Sequence, residues 1–166
     1  ADELNSHHVV VRVEKTCLSR SAVLLEELFK LAATYAKKVA LEASRVALPE
    51  LESQVSDFLG GVFKYAFSPE PGFRTSDLLE LAFSHLGQLA AVKLVCFTRD
   101  GRATRVTEGS GVNVFAIIRE LLGRGYDGLF IIDYEPRGLF LPPSSVREDF
   151  KLLSQYVSSI FSARTQ

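Results

Sequence analysis

"YDGLFIIDYEPRG" (126–138) reads as a buried strand until its last positions. Leu129, Phe130, Ile131 and Ile132 form an unbroken apolar run, which suits a parallel strand covered on both faces. The run then stops in Asp133, Tyr134, Glu135 and Pro136. That ending is either a turn that happens to be acidic or a functional site built at the strand's carboxyl end.

Working outward, four comparable segments precede it: VVVRVEK (9–15), KVALEAS (38–44), GVFKYAF (61–67) and AAVKLVCF (90–97). Segments of helical periodicity lie between and after them. In 19–36 that periodicity places Leu24, Leu28, Leu31 and Tyr35 on one face, flanked by Leu25, Phe29 and Ala32. Pro49 suits the first turn of a helix over 49–60, and Gly60 its end. Thr75, Ser76 or Asp77 caps a helix over 75–87, with Gly87 as its stop. Asn113 is a good N-cap for VFAIIRELLGRG, and Ser145 with Glu148 forms a capping box for the last helix. Five strand–helix units predict an α/β fold with a parallel sheet, because parallel strands need long crossovers.

A chain of 166 residues with 47% hydrophobic composition can bury a core and suits one domain over 1–166. Its formal net charge of −1 gives no general drive toward nucleic acid or an anionic membrane, so neither is an expected partner. No apolar run reaches membrane-spanning length. Cys17 and Cys96 are too few for a disulfide scaffold and are read as reduced thiols of a cytoplasmic protein.

Alternation assigns one large apolar face to each strand and a late charge to the other face. Those charges are Glu42, Lys64, Lys93 and Asp133. If the sheet curves toward a barrel, all four converge at its carboxyl end, where such folds keep their chemistry. They form either a catalytic or ligand-binding cluster or a structural set of ion pairs, since buried charges exist paired. Arg12 and Glu14 are candidates to join them. The loop TRDGRATRVTEGSG (98–111) adds Arg99, Arg102 and Arg105 before a helix N-terminus. It is either a phosphate seat or a solvated arginine-rich loop. His7, His8 and His85 sit where little supports metal ligation.

"GSGVNVFAIIRELLGRGYDGLFIIDYEPRG" (109–138), followed by "REDFKLLSQYVSSI" (147–160), resembles the end of the xylose isomerase-like TIM barrels. That superfamily holds sugar isomerases, sugar and keto-acid epimerases and the endonuclease IV type of nuclease. "LLEELFKLAATYAKKVALEAS" (24–44) is similar to its helix-then-strand segment ending in glutamate. The resemblance runs from the fourth barrel strand to the eighth helix, which implies a partial barrel of five parallel strands and five helices.

The resemblance also implies a divalent metal held by Glu, Asp, His and Glu. Glu42 matches the first ligand and Asp133 the last, while Lys64 and Lys93 stand where the Asp and His ligands belong. Ammonium groups can neutralise carboxylates much as a metal would. The expectation is therefore a degenerate, metal-free barrel protein without a cofactor, either structural or binding a small polar or phosphorylated ligand. In it Glu42, Lys64, Lys93 and Asp133 form the catalytic constellation, and Glu135, Arg99 and Arg102 contact ligand. The alternative is a metal-dependent isomerase, epimerase or nuclease completed by another chain. Apolar edge strands at 9–15 and 129–135 predict a homodimer.

Overall fold

The structure, a computed structural model, describes residues 8–13, 15–34, 38–59, 63–133 and 143–164. Glu14, Tyr134, Glu135 and His7 lie outside them, as do the acidic ending after Asp133 and Gly60. The elements alternate as β1 (His8–Val13), α1 (Lys15–Thr34), β2 (Lys38–Ala43), α2 (Leu48–Leu59), β3 (Lys64–Phe67), α3 (Thr75–Ser84) and β4 (Leu89–Leu94). There follow the short strands β5 (Cys96–Phe97) and β6 (Ala103–Thr104), then α4 (Val114–Gly123), β7 (Leu129–Ile132) and α5 (Pro143–Arg164). The main sheet has the order β1-β2-β3-β4-β7. The chain divides into two compact units, Ala1–Phe67 with Gly87–Ala91, and Ser68–Leu86 with Val92–Gln166.

In the first unit β1 pairs with β2 in parallel, Val9 opposite Val39 and Arg12 opposite Glu42. β2 pairs with β3 likewise, Ala40 opposite Lys64 and Glu42 opposite Ala66. Phe63, Tyr65 and Phe67 share one face, their ring centroids 5.0 and 5.5 Å apart in sequence. The Tyr65 hydroxyl donates to Glu52 of α2 at 3.3 Å, so this is the helix-covered face. Burial, followed by the Glu52 charge, pushes the Tyr65 phenol pKa up.

Helix α1 corrects one expectation. Among its described side chains Leu25 and Ala32 are buried, while Leu24 is 64% and Leu31 56% exposed. The helix carries two adjacent apolar stripes, and periodicity alone favours the wrong one. β1 spans His8–Val13 and α1 Lys15–Thr34, against the expected 9–15 and 19–36.

In the second unit Asn113 caps α4 as its residue type predicts, its Oδ1 accepting from Ala116 N at 3.0 Å. Among the candidates at α3, Asp77 closes the turn: its carboxylate accepts from Arg74 N at 2.9 Å, and Arg74 is the N-cap. Thr75 instead accepts the Asn113 N–H at 2.8 Å, tying the start of α3 to the start of α4. α3 ends at Ser84 rather than at Gly87, which lies in a short 3₁₀ turn, Leu86–Gln88. The proposed Ser145–Glu148 capping box does not form, since α5 begins at Pro143 and Ser145 lies inside it. Packing among the helices includes Phe115 of α4 edge-on to Tyr156 of α5 and Arg124 over the Phe83 ring at 3.9 Å.

Candidate functional site at the carboxyl ends of β4 and β7

β4 and β7 are neighbours in the sheet, and Asp133 extends their ladder by donating its N–H to Leu94 O at 3.3 Å. Leu94, Phe130 and Ile132 line a groove together with Val146, Phe150, Leu153 and Val157 of α5. By the two-residue period of a strand, Lys93 and Asp133 then point to the side of the sheet away from α5. There the Lys93 ammonium lies 2.9 Å from Asp133 Oδ2, with side-chain exposures of 17% and 32%. The pair is partly withdrawn from water yet open enough for a polar ligand to reach it. Its attraction is therefore stronger than that of a surface pair but short of the cost and gain of full burial.

After β4 the expected continuous strand over 90–97 breaks. Cys96 and Phe97 turn to pair antiparallel with Thr104 and Ala103. The tip is closed by Thr98 N to Arg102 O at 2.8 Å and Gly101 N to Thr98 O at 3.0 Å, and the Thr98 hydroxyl donates to Asp100. Arg99 and Arg102 are exposed there, and Arg102 Nε pairs with Asp100 at 3.1 Å. The returning segment packs closely. A Cβ on Gly109 would sit 2.2 Å from Cys96 Cβ, so only glycine fits that approach.

The third arginine of this segment does something the sequence reading missed. Arg105 Nη2 and Nε reach Asp149 Oδ1 at 2.7 and 3.1 Å, and Nη2 also reaches Glu148 at 3.1 Å. Asp149 is fully buried and its other oxygen accepts from Val106 N at 3.3 Å. An acid on the buried stripe of α5, one turn before the buried Leu153, was the available signal, because a buried carboxylate requires a cation. The phosphate-or-solvent choice for this loop thus omitted a third possibility: the loop is pinned to α5.

The remaining candidates sit on other elements. Glu42 is buried, at 5% exposure, near the carboxyl end of β2. Lys64 opens β3 and donates to Gly87 O at 3.0 Å. In register it stands opposite Ala40, with Ala66 level with Glu42. The expectation that Lys64 joins Glu42 at the carboxyl end is corrected: a charge late in GVFKYAF is the first residue of the strand that forms. Arg12 lies opposite Glu42 in register and is exposed. His85 caps the end of α3, its Nδ1 2.8 Å from Ser84 Oγ and 3.0 Å from Leu81 O.

These residues do not fit a divalent centre of two Glu, one Asp and one His. Among the described residues no group of three or more His, Cys, Asp or Glu gathers. The Asp133 carboxylate is met by an ammonium group, whose charge and donor-only chemistry oppose a metal at that oxygen.

No family model and no curated protein matches the sequence. Among solved structures, a xylose isomerase domain protein from Planctomyces limnophilus matches with a TM-score of 0.63 and 16% identity over 87% of this chain. A D-tagatose 3-epimerase-like protein matches with a TM-score of 0.69 and 18% identity over 97% of it. The chain shares the fold of these two structures. It is a partial TIM-type barrel, spanning 53% of the first structure's chain and 66% of the second's. In barrels of this kind the carboxyl ends of the strands carry the chemistry, and Lys93 and Asp133 stand there. Among the described residues no helix is long and apolar enough to cross a membrane.

Proposed function

We propose that the chain is a degenerate sugar isomerase- or epimerase-like barrel protein that binds a small polar or phosphorylated ligand without a metal. The observation that carries this reading is the Lys93–Asp133 pair, 2.9 Å apart and partly exposed at the carboxyl ends of adjacent strands. Lys93 offers donors only, and ionised Asp133 acceptors only, so together they match a hydroxyl or a carbonyl flanked by a hydroxyl. Arg99 and Arg102, exposed on the hairpin after β4, add cations suited to an anionic substituent. A cytoplasmic setting with reduced thiols agrees with the two-cysteine composition.

The test joins metal analysis of the purified chain with calorimetric titration of a panel of free and phosphorylated sugars. Binding of one class is expected, weakened at least about tenfold, or about 1.4 kcal/mol, in both Lys93→Ala and Asp133→Ala. A stoichiometric divalent ion released by Glu42→Gln or Asp133→Asn would establish the metal-dependent alternative instead. Absence of binding across the panel would remove the ligand reading and leave a structural ion pair.

A further inference from the structure

We propose that Lys93 forms a covalent imine with small open-chain hydroxyaldehydes and hydroxyketones, with Asp133 moving the protons. This rests on the ligand-binding reading above and names the ligand class and the bond that holds it. Lys93 and Asp133 belong to one compact unit, and their backbones are tied together where Asp133 N donates to Leu94 O at 3.3 Å. Val92 and Leu94, on either side of Lys93, are fully buried, so β4 cannot shift here without opening the core. The Lys93 nitrogen is thereby held 2.9 Å from Asp133 Oδ2 on a side chain only 17% exposed. Lys30, by contrast, is 70% exposed and pairs with Glu26 of its own helix. A fixed amine with a carboxylate in reach is what imine formation requires.

An amine adds to a carbonyl only after losing a proton, and a carbinolamine sheds water only after its hydroxyl gains one. The pair can do both. Lys93 Nζ passes a proton to Asp133 Oδ2 and adds through its lone pair to the carbonyl carbon. The carbonyl oxygen takes a second proton from that nitrogen, which gives the carbinolamine. Asp133 then hands its proton to the new hydroxyl, the C–O bond breaks and water leaves. The nitrogen lone pair closes the C=N bond. The iminium carries the charge that the ammonium carried, so the Asp133 carboxylate keeps a cation beside it. A carboxylate has two acceptor oxygens, and a hydroxyl next to the carbonyl can donate to one of them.

The probes are glycolaldehyde, glyceraldehyde and dihydroxyacetone, each incubated with the full chain and cyanoborohydride. The reagent supplies the hydride that reduces an iminium to a stable secondary amine. Peptide mass mapping then reads which lysine carries the adduct. Lys93 should be modified ahead of the exposed Lys30, Lys38 and Lys151, although it is less accessible than Lys30. Lys93→Arg keeps a cation for Asp133 but has no amine that can condense, and it should lose this adduct with its circular dichroism unchanged. Asp133→Asn should slow trapping about a hundredfold, and Asp133→Glu, which keeps a carboxylate, should recover most of the rate. Adducts spread over the exposed lysines would overturn the inference, as would a Lys93 adduct that forms as fast in Asp133→Asn. Calorimetric binding of a probe without any adduct would overturn it too and leave the binding reading standing. Absence of both binding and adduct removes the two together.

Discussion

Removing the Asp133 carboxylate takes from the partly desolvated Lys93 ammonium a counter-charge 2.9 Å away. Asp133→Ala should therefore cost about 1–2 kcal/mol in urea melts with an unchanged slope, more than an exposed pair is worth. A loss too small to measure would mean that the pair is surface decoration. Cys96 titrates in the opposite sense to a reactive thiol. Burial first, and the Asp149 charge second, push its pKa up to about 11. The folded state thus holds this proton more tightly than the unfolded chain, whose thiol titrates near 9.0. Its stabilising contribution is whole below that value and declines as the pH climbs toward the folded pKa. Urea midpoints should fall over that alkaline range and fall less in Cys96→Ala, while alkylation of native Cys96 stays slow at neutral pH. At the residue scale the sequence showed Lys93 and Asp133 clearly, because a charge in an apolar strand has one face to occupy. It misplaced Lys64, since the strand's true start was hidden within an apolar run.

Single contacts also decide how elements are held. Arg105 grips two acids of α5, and they should not weigh alike. Asp149 is fully buried while Glu148 is 64% exposed. Asp149→Ala should cost about 3 kcal/mol, in the range for breaking a buried pair, and Glu148→Ala less than about 1 kcal/mol. Thermal melts of both variants check the ranking, and equal losses would contradict it. The elements themselves were legible where one signal dominated, as at Asn113, whose side chain has a single good use before an apolar helix. They were misread where two signals competed. The stripes of α1 are equally apolar, Ser145 imitates a cap inside a helix, and AAVKLVCF gives no hint that Cys96 leaves the sheet.

For the whole molecule, alternating strands and helices announced a parallel α/β fold, and the segments 24–44 and 109–160 narrowed it to one kind of barrel. Long-range pairing such as Arg105 with Asp149 was not legible, because nothing local ties a loop to a helix so far along the chain. Nearly balanced charge has its own outcome. With a formal net charge of −1 and an isoelectric point near 6.4, mutual repulsion between molecules is weak around neutrality. Turbidity measured against pH should peak near 6.4, and a minimum there would contradict the charge count. The hairpin after β4 carries a different consequence. Its tip closes on itself through Thr98 and Arg102, while its base is gripped where Gly109 meets Cys96 and Arg105 meets Asp149. Lengthening or exchanging residues 99–101 therefore leaves the anchoring contacts intact. The tip is a replaceable cassette, a place where new recognition loops can be grafted and selected on an otherwise constant scaffold.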